Sequence, residues 1–185
     1  MKTEKQVKFN KSLFILGYMG TGKTTISRLL TESLGIAMID IDAEIAKEQG
    51  ISINEIFTKY GEEYFRDLET SMIERLAAGP ETIISCGGGV PLRQRNRVII
   101  KAEGIAVVLT ASPKNIYERI KNDNQRPLLK GNMSVEYIAD MLEKRREAYA
   151  SVAHHTIGTD GKTPEEICAE ILELFRFEIE DERYE

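Results

Sequence analysis

The residues best suited to chemistry form one short run near the start of the chain, residues 17–24. They read Gly-Tyr-Met-Gly-Thr-Gly-Lys-Thr, which fits the pattern G-x-x-x-x-G-K-S/T of a P-loop. Glycines in such a loop let several backbone N–H groups surround a phosphate, and the lysine adds a positive charge beside the outer phosphates. The hydroxyl of the final threonine is suited to bind Mg²⁺. The run therefore predicts a site for nucleotide phosphates.

The elements that this motif requires stand on either side of it. Residues 13–16 form an apolar run that predicts a buried strand, and residues 22–34 show helical spacing that ends near Gly35. The amino end of that helix would add its partial positive charge to the phosphate site. We expect seven residues of this segment to bind the nucleotide: Gly17, Gly20, Thr21, Gly22, Lys23, Thr24 and Thr25.

Short apolar runs alternate with helical segments along the rest of the chain. This alternation predicts an α/β fold, a three-layer sandwich in which about five parallel strands carry helices on both faces. The run at residues 36–39 is continuously apolar, so we expect it to be buried on both faces of the sheet. The strands are predicted over residues 11–17, 36–39, 82–86, 104–109 and 156–157.

The chain is long enough for one domain with a core of its own. We predict a single domain over residues 1–185, with a core at about residues 11–177. Residues 1–9 and 178–185 are mostly polar and predict loose tails. Residues 122–132 are polar and contain proline and glycine, so they predict a long loop.

Polar residues are expected to meet at the carboxyl ends of the strands, where parallel sheets bind ligands. The second strand ends in Asp40 and Asp42. On an extended chain these two carboxylates point to the same side, so one could hold Mg²⁺ through water while the other accepts a proton from an attacking hydroxyl. The alternative is that Asp42 caps the next helix.

Three consecutive glycines, Gly87, Gly88 and Gly89, follow the third strand. Residues without a side chain let a ligand lie against the backbone and take hydrogen bonds from its N–H groups. The alternative interpretation is a flexible turn.

The arginines are expected to gather at the site, because the chain has a net charge of −5 and binds an anion. Arg66 has Glu69 three residues later on the same helix face, and Arg145 has Tyr149 four residues later. Arg126 lies in the long loop. A guanidinium can hold a carboxylate through two hydrogen bonds. The alternative for each arginine is a solvated surface charge.

Composition argues against several classes of protein. No apolar run reaches the roughly 20 residues of a membrane span, and the first residues lack the apolar stretch of a signal peptide. The chain lacks the long basic run that would favour nucleic-acid binding. The two cysteines, Cys86 and Cys168, lie far apart and without metal-ligand spacing. We therefore expect a cytoplasmic protein with reduced thiols and no membrane or nucleic-acid partner, and a monomer by default.

Six stretches together resemble the shikimate kinase family, in the same order and at compatible spacing. The resemblance runs from about residue 12 to about residue 175. It implies a P-loop kinase fold and transfer of the γ-phosphoryl group of ATP to the 3-hydroxyl of shikimate, with Mg²⁺. The stretches are the P-loop, Ile39-Asp40-Ile41-Asp42, Gly61-Glu62-x-x-Phe65-Arg66-x-x-Glu69, Cys86-Gly87-Gly88-Gly89, Arg126-Pro127-Leu128-Leu129 and Arg145-x-x-x-Tyr149.

The resemblance also implies roles on the nucleotide side. It implies that Thr24 and Asp40 bind Mg²⁺ and that Lys23 and Arg126 contact the transferring phosphoryl group. Arg126 would be carried in by the loop at residues 122–132, which would close over the site as a lid and exclude water. Three further residues are implied around the nucleotide base: Arg119, Lys162 and Pro164. The family often has Asp-Thr near the fifth strand, where this chain has Gly158-Thr159.

On the acceptor side, the resemblance implies that residues 42–78 supply the binding helices. Asp42 would bind the shikimate hydroxyls and is the candidate base, while Arg66 and Arg145 would hold the carboxylate. The other residues implied at the acceptor are Phe57, Phe65, Glu69, Gly87, Gly88 and Gly89. Two alternatives stay open: another small-molecule kinase of this fold, acting on gluconate or a nucleoside monophosphate, or a non-catalytic ATP-binding regulator.

Overall fold

The computed structural model describes residues 11–121 and 134–181. Within those residues, five parallel strands form one sheet in the order β2-β3-β1-β4-β5, as the alternating pattern predicts. The strands are β1 (Ser12–Gly17), β2 (Met38–Asp40), β3 (Ile83–Ser85), β4 (Gly104–Thr110) and β5 (His155–Gly158). The helices are α1 (Lys23–Leu34), α2 (Ile41–Gln49), α3 (Ile53–Ala77), α4 (Gln94–Glu103), α5 (Pro113–Ile120), α6 (Val135–Val152) and α7 (Pro164–Asp181).

Strand β1 lies at the centre of the sheet, and its side chains alternate between two cores. Leu13 and Ile15 pack with α1 and α7 on one face, whereas Phe14 and Leu16 pack with α2, α3, α4 and α6 on the other. All four side chains are buried. A strand covered on both faces is expected to be apolar throughout. The two cores give the predicted three layers and hold the carboxyl end of β1 rigidly.

The expectation that residues 36–39 are buried on both faces is wrong. Strand β2 begins at Met38, and its three residues are only half-buried. The reason is its place at the edge of the sheet, where it pairs with β3 alone. An apolar run of this length is the same in an edge strand and a central strand, so the sequence pattern does not distinguish them.

Local signals in the sequence account for several helix boundaries. Ser52 and Glu55 form a reciprocal capping box that starts α3. Gly61 interrupts that helix with a φ of 84°, so α3 consists of two segments joined at a kink. Helix α7 continues to Asp181, so residues 178–181 are helical where a loose tail was expected. Glutamates, which favour helices, are frequent there.

In the described part of the chain, no helix combines the length and the apolar character that crossing a membrane requires.

Candidate active site

The P-loop connects the buried end of β1 to the start of α1. Gly22 sits at the helix boundary with φ 96° and ψ 11°, a left-handed conformation that favours glycine. Within the loop, the Tyr18 carbonyl accepts hydrogen bonds from Thr21 Oγ1 at 2.8 Å and from Lys23 Nζ at 3.0 Å. The loop is therefore held by its own residues, with Lys23 and the amino end of α1 beside it.

A cluster of oxygen atoms lies next to the P-loop, around Asp40. Thr24 Oγ1 donates to Asp40 Oδ2 at 3.2 Å, and Ser85 Oγ donates to the same oxygen at 3.0 Å. Sheet register explains the second contact, since Asp40 and Ser85 are paired across β2 and β3. Hard oxygen ligands of this kind suit Mg²⁺. The prediction for Thr24 and Asp40 is thus supported by their proximity, and Ser85 is an additional member.

The predicted geometry of Asp40 and Asp42 is wrong in one respect. Only Asp40 has an extended backbone, because α2 already begins at Ile41 and places Asp42 in its first turn. Asp40, and not Asp42, caps this helix by accepting from the Ala43 N–H at 3.3 Å. Asp42 is nevertheless well placed as an anion, since the helix dipole favours negative charge at the amino end.

Two carboxylates lie close to the backbone of Gly87. A Cβ atom built at Gly87 would lie 2.7 Å from Asp42 Oδ1 and 2.8 Å from Glu69 Oε1. Those separations are too short for a side chain, so the close approach requires glycine. Gly89 is similarly restricted, because its Cβ would lie 2.1 Å from Arg66 Nη1. The three consecutive glycines therefore bring the backbone against Asp42, Glu69 and Arg66.

Arg66 and Glu69 form the predicted pair on one face of α3. Arg66 Nη1 donates to Glu69 Oε2 at 2.6 Å, and Arg66 Nη2 donates to Glu62 Oε1 at 2.8 Å. Burial opposes the charge on Arg66, but Glu69 and Glu62 together raise its pKa above the ordinary value. Burial raises the pKa of Glu69 to about 7, although Arg66 lowers it. Arg66 is therefore a fixed cation.

An apolar wall lies beside this cation. The Phe57 and Phe65 rings pack with centroids 4.8 Å apart, and the Arg66 guanidinium lies 5.3 Å from the Phe65 ring centroid. Phe65 is buried and Phe57 is half-buried. The arrangement offers an apolar surface next to a positive charge, which suits a ring that carries a carboxylate.

Helix α6 supplies the second arginine. Arg145 Nη1 donates to the Gly88 carbonyl at 3.4 Å, and its guanidinium lies 5.3 Å from the Tyr18 ring centroid. Tyr149, one turn later, donates from its hydroxyl to the same Gly88 carbonyl at 2.6 Å. The contacts of Tyr149 and Tyr18 were not predicted. The spacing of Arg145 and Tyr149, four residues apart on a helix, was the available signal for Tyr149.

Arg119 joins the P-loop to the segment after β5. Its guanidinium donates to the Gly20 carbonyl at 3.1 Å, to Thr159 Oγ1 at 3.0 Å and to the Thr159 carbonyl at 3.2 Å. Lys162 forms an ion pair with Glu170, and Pro164 starts α7. Arg119 thus borders the P-loop, and the contact of Arg119, Lys162 and Pro164 with a nucleotide base stays a prediction.

Two further predictions fall outside the described residues. They concern Arg126 and the lid at residues 122–132.

The arrangement agrees with a family match that spans most of the chain. The family model for shikimate kinase matches residues 19–176. A shikimate kinase of Geobacter sulfurreducens is 43% identical over 166 residues, which is 90% of this chain and 91% of that protein. The chain belongs to the shikimate kinase family. It is accordingly a kinase, a phosphotransferase that uses ATP.

Solved structures extend this comparison to the fold. A structure of shikimate kinase from Acinetobacter baumannii in complex with shikimate superposes with a TM-score of 0.85 at 34% identity, covering 91% of this chain and 94% of that chain. A gluconokinase from Sinorhizobium meliloti superposes with a TM-score of 0.60 at 19% identity, covering 96% of this chain and 98% of that chain. The second likeness concerns the P-loop kinase fold alone.

Proposed function

We propose that this chain transfers the γ-phosphoryl group of ATP to the 3-hydroxyl of shikimate, giving shikimate 3-phosphate and ADP. The observation that carries the proposal is the meeting of Asp42, Arg66 and Arg145 around Gly87 to Gly89. Gly88 connects this group to the donor side, since its Cβ would lie 3.6 Å from the Gly17 carbonyl oxygen and from the Met19 nitrogen. An acceptor with both a carboxylate and hydroxyls matches those side chains.

On the donor side, the P-loop N–H groups and Lys23 hold the phosphates of ATP. The cluster around Asp40 fits Mg²⁺: Thr24 would bind the ion and Asp40 would hold it through water. Mg²⁺ neutralises phosphate oxygens when it is bound with the nucleotide. Among the described residues, no group of three or more histidine, cysteine or acidic side chains could hold a metal. This agrees with an ion that takes several ligands from phosphate and water.

On the acceptor side, Arg66 and Arg145 bind the carboxylate of shikimate, while Phe57 and Phe65 pack against its ring. These contacts place the 3-hydroxyl next to Asp42. As the new oxygen–phosphorus bond forms, the bond between the γ-phosphorus and the bridging oxygen breaks, and Asp42 takes the hydroxyl proton. Because the transition state of phosphoryl transfer is loose, Asp42 also contributes by aligning the hydroxyl with the phosphorus.

The same contacts distinguish shikimate from one alternative acceptor, gluconate. Gluconate also has a carboxylate, but its open polyol chain offers no apolar face to Phe57 and Phe65.

We also propose that the protein is a single-domain cytoplasmic monomer. Support comes from Cys86 and Cys168, which are both buried free thiols, as reduced surroundings favour. Light scattering on the purified protein tests the oligomeric state.

A coupled assay of ADP release tests the proposed function. The wild-type protein is supplied with ATP, Mg²⁺ and one acceptor at a time: shikimate, gluconate or a nucleoside monophosphate. Turnover is expected with shikimate alone. Turnover with another acceptor and none with shikimate would exclude the proposal, and binding of ATP without turnover of any acceptor would favour a regulator.

A further inference from the structure

Tyr149 carries a buried hydroxyl beside the site, and the transfer reaction above leaves this hydroxyl without a role. Its side chain lies on α6 and is only 8% exposed. The hydroxyl donates to the Gly88 carbonyl at 2.6 Å, a shorter contact than the 3.4 Å from Arg145. Burial raises the pKa of Tyr149 above its ordinary value, so the hydroxyl keeps its proton and stays a donor.

All three carbonyl groups of the glycine segment are hydrogen-bonded, and the middle one depends on α6. The Gly87 carbonyl accepts from the Val90 N–H at 3.2 Å, and the Gly89 carbonyl accepts from the Leu92 N–H at 3.0 Å. Only the Gly88 carbonyl is held by side chains from another element. Within the described residues, the Gly88 and Gly89 N–H groups donate to no acceptor. The same holds for the Gly87 N–H. The segment thus turns its carbonyls to the protein and leaves its three N–H groups for a ligand.

The Gly88 carbonyl and the Gly89 N–H belong to one peptide unit. In a planar trans peptide they point in opposite directions, so fixing the carbonyl also fixes the N–H. The Tyr149 hydroxyl therefore directs the Gly89 N–H away from α6. Gly89 itself adjoins Arg66, since its Cβ would lie 2.1 Å from Arg66 Nη1.

We propose that Tyr149 is a positioning residue: its hydroxyl holds the Gly88–Gly89 peptide so that the Gly89 N–H binds the acceptor carboxylate beside Arg66. This proposal rests on the proposed function, which supplies shikimate as the acceptor. Without the hydroxyl, a peptide between two glycines rotates readily. The P-loop keeps its own hydrogen bonds to the Tyr18 carbonyl, so nucleotide binding does not depend on Tyr149.

The substitution Tyr149→Phe removes only the hydroxyl. We expect the KM for shikimate to rise about tenfold, since one lost hydrogen bond to a ligand's carboxylate is worth about that factor. The Kd for ATP, measured without acceptor, should stay within about twofold, because that change corresponds to less than one hydrogen bond. The matched control is Tyr137→Phe, which removes an exposed hydroxyl from the same helix. It should leave both constants unchanged.

Several results would overturn the role of Tyr149. One is a KM for shikimate within error of the wild type. Another is a parallel rise of the KM for shikimate and the Kd for ATP, which would show that the hydroxyl has a structural role. Failure of the Tyr149→Phe variant to fold would show the same. If the wild-type protein turns over a different acceptor, the proposed function fails separately. The same pair of constants, measured with that acceptor, then still decides the role of Tyr149.

Discussion

Arg66 and Glu69 form a short ion pair inside the protein, with 2.6 Å between Arg66 Nη1 and Glu69 Oε2. Glu69 has no exposed side-chain surface, and its other oxygen, Oε1, has no hydrogen-bond partner among the described residues. That oxygen faces Gly87 and Asp42. The pair therefore fixes the guanidinium next to the acceptor site, and it does so with a carboxylate that titrates near neutral pH.

The first prediction concerns the pH dependence of stability. The pKa of Glu69 is about 7 in the folded protein, against 4.5 for a glutamate side chain exposed to water. Between these two pH values, the native state thus binds more protons than the unfolded state. Protonated Glu69 makes its full contribution to the free energy of unfolding below pH 4.5, and this contribution is lost as the pH rises through 7. The wild type should lose about 2 to 3 kcal/mol more than Glu69→Gln between pH 5 and 8.

Urea unfolding at several pH values measures this difference. Glu62→Gln is the matched control, because it removes the exposed partner of Arg66 and leaves Glu69 in place. The control should follow the wild-type dependence on pH. Equal dependence in the wild type and Glu69→Gln would show that Glu69 does not titrate in this interval.

The second prediction concerns the arginine itself. Arg66→Ala would leave Glu69 buried without a cation, so Arg66→Lys is the cleaner change. It keeps a positive charge beside Glu69 but removes the planar fork that binds a carboxylate. We expect kcat/KM for shikimate to fall about 10²- to 10³-fold, as for one or two lost charge-assisted hydrogen bonds, with the Kd for ATP nearly unchanged.

The control is Arg95→Lys, an exposed arginine paired with Glu74 on the surface. Steady-state kinetics and ATP titration of both variants give the comparison. If Arg66→Lys weakens ATP binding as strongly as shikimate turnover, Arg66 supports the whole site and does not select the acceptor.

The third prediction separates Asp42 from its neighbours. Asp42→Asn keeps the shape of the side chain in the first turn of α2 but removes the charge that accepts a proton. We expect kcat to fall about 10²- to 10⁴-fold while the melting temperature changes little. Asp67→Asn, on the exposed side of α3, is the matched control. Survival of kcat in Asp42→Asn would show that Asp42 positions the hydroxyl without taking its proton.

The fourth prediction concerns Mg²⁺ and Asp40. Asparagine caps a helix as well as aspartate, so Asp40→Asn should preserve the start of α2. It removes the charge that receives the Thr24 and Ser85 hydroxyls. The Mg²⁺ concentration for half-maximal rate should rise about tenfold, which corresponds to the loss of one outer-sphere contact. A Mg²⁺ titration at saturating ATP measures it, and an unchanged midpoint would place the ion elsewhere.

The sequence predicted the fold, and the order of the strands confirms it. The P-loop pattern, the apolar strands and the residues that precede each helix are local features, so they also indicate where Lys23, Arg66 and Gly87 lie in this fold. The roles of these residues at the site stay predictions. The pairing of Arg66 with Glu69 followed from helical spacing alone.

The features that the sequence did not predict depend mainly on how the strands pair and on which strands lie at the edges of the sheet. The edge position of β2 and the contact of Ser85 with Asp40 follow from strand order and pairing. The early start of α2, which places Asp42 in a helix, depends on the Asp40 cap. Tyr149 reaches Gly88 because α6 packs against the short 3-10 helix at Val90–Leu92, which follows the glycines. Apart from the Asp40 cap, these relationships join residues that lie far apart in the sequence.

The most direct test of the central claim is a competition monitored by phosphorus NMR. The wild-type protein is given ATP and Mg²⁺ with shikimate, gluconate and a nucleoside monophosphate in equal amounts. Our account predicts one new phosphate ester, on the 3-oxygen of shikimate, formed together with ADP. Phosphate on gluconate or on the nucleotide, with shikimate unchanged, would contradict it.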